Sequence, residues 1–200
     1  MAILSHPRIR EFISEQGLHY DSRRLCREFP GLYDAIEIYT HNVGSGFKLA
    51  IDRLDLIWTT GLADDLKSRP RNLLPVWGTA SSDGHCRDHI QENVGVFVLS
   101  AERTEQGIMK ALRRGAFYAS ANSEARFLDI REQQGGFRVR TANAVSIRAV
   151  AFRGLTVGFR SFPVRPETEF VHRLKGDEKY VRFEAEDANG RAIYSNPVML

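Results

Sequence analysis

Apolar residues along this chain change their period near residue 120. Before that point, short β-branched and aromatic runs alternate with stretches of helical spacing. A strand-like fragment from Ala2 to Ser5 runs into His6 and Pro7, and Pro7 keeps His6 extended. Ile9, Phe12 and Ile13 share one face of a helix predicted over Arg8 to Gln16, with Gly17 as its stop. A second helix is expected from Ser22 to Glu28, ended by Phe29, Pro30 and Gly31, and a strand follows from Tyr33 to Tyr39. Phe47, Leu49, Ala50, Leu54, Ile57 and Trp58 again recur at helical intervals, broken near Gly61. Leu73 to Trp77 and Val94 to Leu99 read as buried strands, and Thr104 as the N-cap of a helix that stops at Gly115. Alternation of strand and helix predicts an α/β layer or barrel with parallel strands over residues 1–120.

Over residues 121–200 the period shortens to two. Segments 127–130, 137–141, 145–152, 155–159 and 180–186 alternate apolar with polar residues and are separated by glycine-containing turns. They predict half-exposed antiparallel strands and a small β-sandwich-like domain, immunoglobulin-like in pattern, appended to the α/β part. Ala188 to Arg191, holding Asn189 and Gly190, is the clearest hairpin signal.

Composition narrows the function classes. With 200 residues, 42% of them hydrophobic, the chain suffices for one ordinary domain with a smaller appendage. The net charge of +3 comes from 28 basic and 25 acidic residues spread along the length, which does not make the basic stripe that nucleic acid requires. Arg131, Arg138, Arg140 and Arg148 alternate with apolar residues and read as the solvated face of a sheet. Cys26 and Cys86 are too few for a disulfide framework, so a reducing cytoplasm is expected, and no apolar run approaches a membrane span.

The candidate chemistry lies between Trp77 and Cys86. Asp83 and His85 leave the predicted strand two residues apart, and at period two their side chains point the same way. A carboxylate and an imidazole together suit zinc, manganese or iron better than calcium or magnesium. The competing reading is a polar turn in which Asp83 caps the next segment.

Several segments together resemble the C-terminal part of a PHP-domain metal-dependent phosphoesterase of the CehA/McbA-type branch. They are Ser5, His6 and Pro7 after a short strand; Tyr33 to Tyr39; Leu74 to His85; Ala111 to Ser120; and the ending, with Tyr180 to Glu184 and Ala192 to Leu200. The resemblance implies a distorted (β/α) barrel whose strand ends hold two or three ions of zinc, manganese or iron. Such enzymes hydrolyse phosphoesters, and in this branch some hydrolyse carbamates or related ester and amide bonds, with a metal-bound hydroxide as nucleophile. It makes His6, Asp83 and His85 metal ligands. It also makes Glu37 and His41 candidates to orient a ligand imidazole, although a plain strand-end polar role fits those two as well. The chain departs from the family in lacking the opening His-x-His pair, and His19, His41, His89 and His172 stand isolated. The expectation is therefore a partial PHP-type barrel, read as entered past its first strands and holding fewer ions than a complete site, followed by the β-sandwich-like domain. Exposed sheet edges make a homo-oligomer the expected state. Hydrolysis of a small phosphoester or ester is the expected activity, and the alternative is a non-catalytic binding module on a degenerate hydrolase scaffold.

Overall fold

The computed structural model describes residues 3–4, 12–13, 19–20, 33–40, 76–153, 156–163, 169–178 and 180–200. Three strands in it run parallel, β1 (Ile3–Leu4), β4 (Ala35–Thr40) and β5 (Trp77–Ser81), in the order β1-β4-β5. Between β1 and β4 in the chain lie β2 (Phe12–Ile13) and β3 (His19–Tyr20), which pair antiparallel. The middle strand β4 is buried from Ala35 through Ile38 on both faces, as a central parallel strand must be. Its Ala35 pairs with Trp77, and the Trp77 amide bonds the Asp34 carbonyl at 2.9 Å.

The remaining strands are antiparallel and form two packed sheets. The larger runs β11 (Thr156–Pro163), β10 (Ser146–Arg153), β13 (Tyr180–Glu186), β14 (Ala192–Ser195), β7 (Phe117–Ala121), β6 (Val94–Val98), with β15 (Val198–Met199) beside β13. The smaller runs β12 (Glu169–Arg173), β9 (Gly136–Ala142), β8 (Arg126–Gln133). Period-two alternation places Ile147, Ala149, Val181, Phe183, Ala185 and Ile193 of the large sheet against Phe127, Phe137, Val139 and Phe170 of the small one, which makes one apolar core. A second core joins this sandwich to the parallel strands: Ala35, Trp77 and Phe117 are buried together, with Val96, Val98 and Leu112 against them. Strand β7 serves both cores, because Phe117 and Tyr118 point to opposite faces.

This architecture overturns the (β/α) barrel. Among the described residues there is one α-helix, α1 (Glu105–Arg113), and the fold is mostly β. Thr104 caps α1 as its sequence predicts, accepting the Gly107 amide at 3.1 Å, and Gly115 ends it at φ +69°. The helix is not a crossover between parallel strands. Leu99 N–H bonds the Ala116 carbonyl at 2.9 Å, and β6 pairs antiparallel with β7, so α1 is an excursion inside a wide hairpin. A strand–helix–strand pattern reads the same in either case; only the partner of β6 decides, and that partner is β7 rather than another parallel strand.

Three local expectations also change. The helix predicted over Arg8 to Gln16 gives way at Phe12 and Ile13 to a short antiparallel pairing with Tyr20 and His19. Of the strand predicted at Leu73 to Trp77, Leu73 to Pro75 lie outside the described residues; β5 begins at Trp77 and continues to Ser81, so the small residues read as a turn are ladder residues. Strand β13 is not half-exposed: Arg182 and Glu184 on its polar face are 1% and 3% exposed. Their burial is tolerated because Glu184 accepts from both Arg182 and Arg148, so the buried carboxylate and the buried guanidinium are each paired. The helices predicted over 22–28 and 45–66 lie outside the described residues.

Candidate functional site

Parallel strands bring their C-terminal ends to one sheet edge, and the candidate residues follow from that. Asp83 comes two residues after β5 and His85 four. In sequence, His6 stands two places after β1 and His41 one place after β4, although both histidines lie outside the described residues.

Asp83 and His85 come together at this edge. His85 Nε2 lies 3.4 Å from Asp83 Oδ1, with the Asp83 side chain 20% exposed and that of His85 78% exposed. They do not meet by strand alternation. Asp83 takes φ +51°, a left-handed conformation uncommon outside glycine, asparagine and aspartate, so the chain turns between them. The turn is held from beneath. Asp83 N–H donates to Ser81 Oγ at 3.3 Å, and the Ser81 hydroxyl donates to Glu37 Oε1 on the neighbouring strand. Glu37 is buried at 5% exposure, so it supports Asp83 through Ser81 from inside the sheet. Two residues on, burial raises the pKa of the Tyr39 hydroxyl and the positive charge of Arg191 partly offsets it, so the phenol stays a neutral donor.

Beyond His85 the loop closes through a 3₁₀ turn at Arg87–His89, with His89 N–H on the Cys86 carbonyl at 3.1 Å and Ile90 N–H on that of Arg87 at 3.2 Å. The turn sets the His89 ring edge-on to His85, centroids 6.5 Å apart and planes 78° apart. His89 Nδ1 is buried without a hydrogen-bond partner. Cys86 carries a free, exposed thiol.

One carboxylate and two imidazoles share this loop, donor types that borderline divalent ions such as zinc, manganese or iron take. As they stand, no three His, Cys, Asp or Glu side chains among the described residues converge tightly enough to hold one. His89 reads in the sequence as isolated, because nothing in the pattern marks the turn that sets its ring beside His85.

The arginines lie elsewhere. Arg131 and Arg138 are on the outer face of the small sheet, where Arg131 meets Asp129 at 2.9 Å and Arg138 meets Glu169 at 3.7 Å. No helix among the described residues is long and apolar enough to cross a membrane. No known protein family, curated protein or solved structure matches this chain.

Proposed function

We propose that this protein is a divalent-metal-dependent hydrolase, acting on a phosphoester or a related ester or amide bond at the C-terminal edge of its parallel strands. The reading keeps the chemistry implied by the PHP resemblance and discards the barrel. The observation that carries it is the Asp83–His85 pair, 3.4 Å apart just beyond the end of β5, while His6 and His41 follow β1 and β4 in the sequence. A bound divalent ion supplies Lewis acidity, polarising the scissile group and lowering the pKa of water. Asp83 and His85 would hold that ion, together with His6. Glu37 and Ser81 fix the backbone on which Asp83 is mounted, so the carboxylate is oriented before any ligand arrives. His85, largely exposed, leaves the open side on which substrate enters.

The test is elemental analysis of protein purified without chelator, followed by a screen of phosphodiester, phosphomonoester and carboxylic ester substrates. About one or more equivalents of zinc, manganese or iron per chain are expected, falling to background in Asp83→Ala and His85→Ala. Metal content unchanged in both variants sinks the assignment. A chain that takes up no ion even after soaking is a binding module instead.

A further inference from the structure

We propose that the outward face of α1 docks an acidic segment of another protein, which sets an apolar side chain against Met109 and carboxylates against Lys110, Arg113 and Arg114. This docking is independent of any chemistry at Asp83.

Helical spacing divides α1 into two faces. Ala111 is buried and Leu112 packs on the core that holds Phe117, so these two turn toward the fold. Glu105, Gln106, Met109, Lys110 and Arg113 fall on the opposite side. With Arg114 they are the described residues that line an open cleft of about 380 Å³. Met109 is out of place there: it is 40% exposed on a face that a surface helix fills with polar residues.

The cations on this face are uncompensated. The positions three and four residues before Lys110, Arg113 and Arg114 hold no acid, so no intrahelical pair is available to them. Among the described residues none of the three makes an ion pair. Lys110 and Arg114 stand four residues apart as like charges, a mildly repulsive arrangement that a bound anion relieves. Cations in a last turn complement the helix dipole, which accounts for their sign but not for Met109 or the cleft. Charge complementarity therefore calls for an anionic partner, and Met109 calls for an apolar group between the anions; an acidic protein segment supplies both. Nucleic acid would use the cations alone, since no aromatic side chain for base stacking is among the described lining residues. A membrane surface needs a broad apolar face, and here Met109 is the one apolar side chain among those lining residues.

The experiment uses the full ¹⁵N-labelled chain and a fluorescent peptide in which one leucine is flanked on each side by two glutamates. Anisotropy reads affinity, and amide shifts read location. The peptide is expected to bind with its largest shifts on α1. Lys110→Glu combined with Arg113→Glu, with folding checked by circular dichroism, should weaken binding about tenfold or more, as should glutamine in place of the peptide's glutamates. Met109→Ser, or serine in place of the peptide's leucine, should weaken it about fivefold. Absence of binding, shifts that leave α1 untouched, or equal affinity for the charged and the glutamine peptide overturns the proposal. So does a DNA oligonucleotide or a phosphatidylserine vesicle that shifts the same amides at lower concentration than the peptide, since the face is then a general polyanion surface. Should the variants fail to fold, the peptide comparisons on wild type decide.

Discussion

Asn196 accepts the amide of Gly78 at 2.8 Å, across 118 residues of sequence. The bond ties the strand that leads to Asp83 onto the far end of the antiparallel sandwich. Asn196 stands between β14 and β15, and Pro197 after it has no N–H to continue the ladder there. The Asn196 amide nitrogen donates in turn to the carbonyls of Phe117 at 3.1 Å and Gly115 at 3.3 Å. One side chain thus joins β5, the end of α1 and β7.

Asn196→Ala is accordingly expected to destabilise the protein by about 2–4 kcal/mol, since it strands a buried amide and two carbonyls. Asn196→Asp keeps the acceptor for Gly78 but faces two carbonyls with no donor, and should lose at least as much at neutral pH. Urea unfolding of both variants checks this; a loss under about 0.5 kcal/mol in either would show that the junction is solvated.

Gly115 and Trp77 form the apolar counterpart of that junction. A Cβ on Gly115 would lie 2.8 Å from the Trp77 ring, and the glycine sits at φ +69°. Gly115→Ala should cost about 1 kcal/mol for the backbone and about 1–3 kcal/mol more for overpacking. Combined with Trp77→Leu, which removes the opposing ring, the two losses should sum to less than their separate values, and thermal melts of the four-member cycle read the difference.

Ser81 predicts a separable effect on the site. Its hydroxyl links Glu37 to the Asp83 amide, so Ser81→Ala should leave the fold intact and weaken zinc about tenfold or more by loosening Asp83. Affinity equal to wild type would show that the Asp83 turn holds itself.

Asp187 sets an acid limit on stability. Burial alone would raise its pKa, but the amides of Glu124, Arg191 and Asn189 and the Ser123 hydroxyl outweigh that and hold it below the ordinary carboxylate range. With the folded pKa depressed, the contribution is fully present above the unfolded-state value of about 3.9 and is lost as pH falls through the folded value. Wild type should therefore lose stability more steeply below about pH 4 than Asp187→Asn, which is weaker at neutral pH and flatter in acid. Parallel pH profiles for the two would remove Asp187 from this role.

The comparison of sequence with structure divides along the range of the interactions involved. Thr104, Gly115 and the Asn189–Gly190 turn were legible because caps, left-handed stops and tight turns are decided by residues within a few positions of one another. The course of the β13–β14 hairpin and the ladder positions of β8 to β11 follow from the same local alternation. The Asp-x-His pair was legible as a pair, though the left-handed Asp83 that brings it together was not.

What the sequence alone determined, then, was the cap and stop of α1, the Asn189–Gly190 turn, the alternating strands after residue 120 and the nearness of Asp83 to His85. Tertiary structure decided the rest. It turned a strand–helix–strand pattern into an excursion inside an antiparallel hairpin, because β6 found β7 as its hydrogen-bond partner. It drew Arg148 of β10 onto the buried Glu184 of β13, and it brought Glu37 beneath Asp83 through Ser81 on the adjacent strand. Each of these depends on which distant segment fills a ladder position or accepts a hydrogen bond. Local periodicity is blind to that choice, because a strand carries the same alternation whichever neighbour it pairs with.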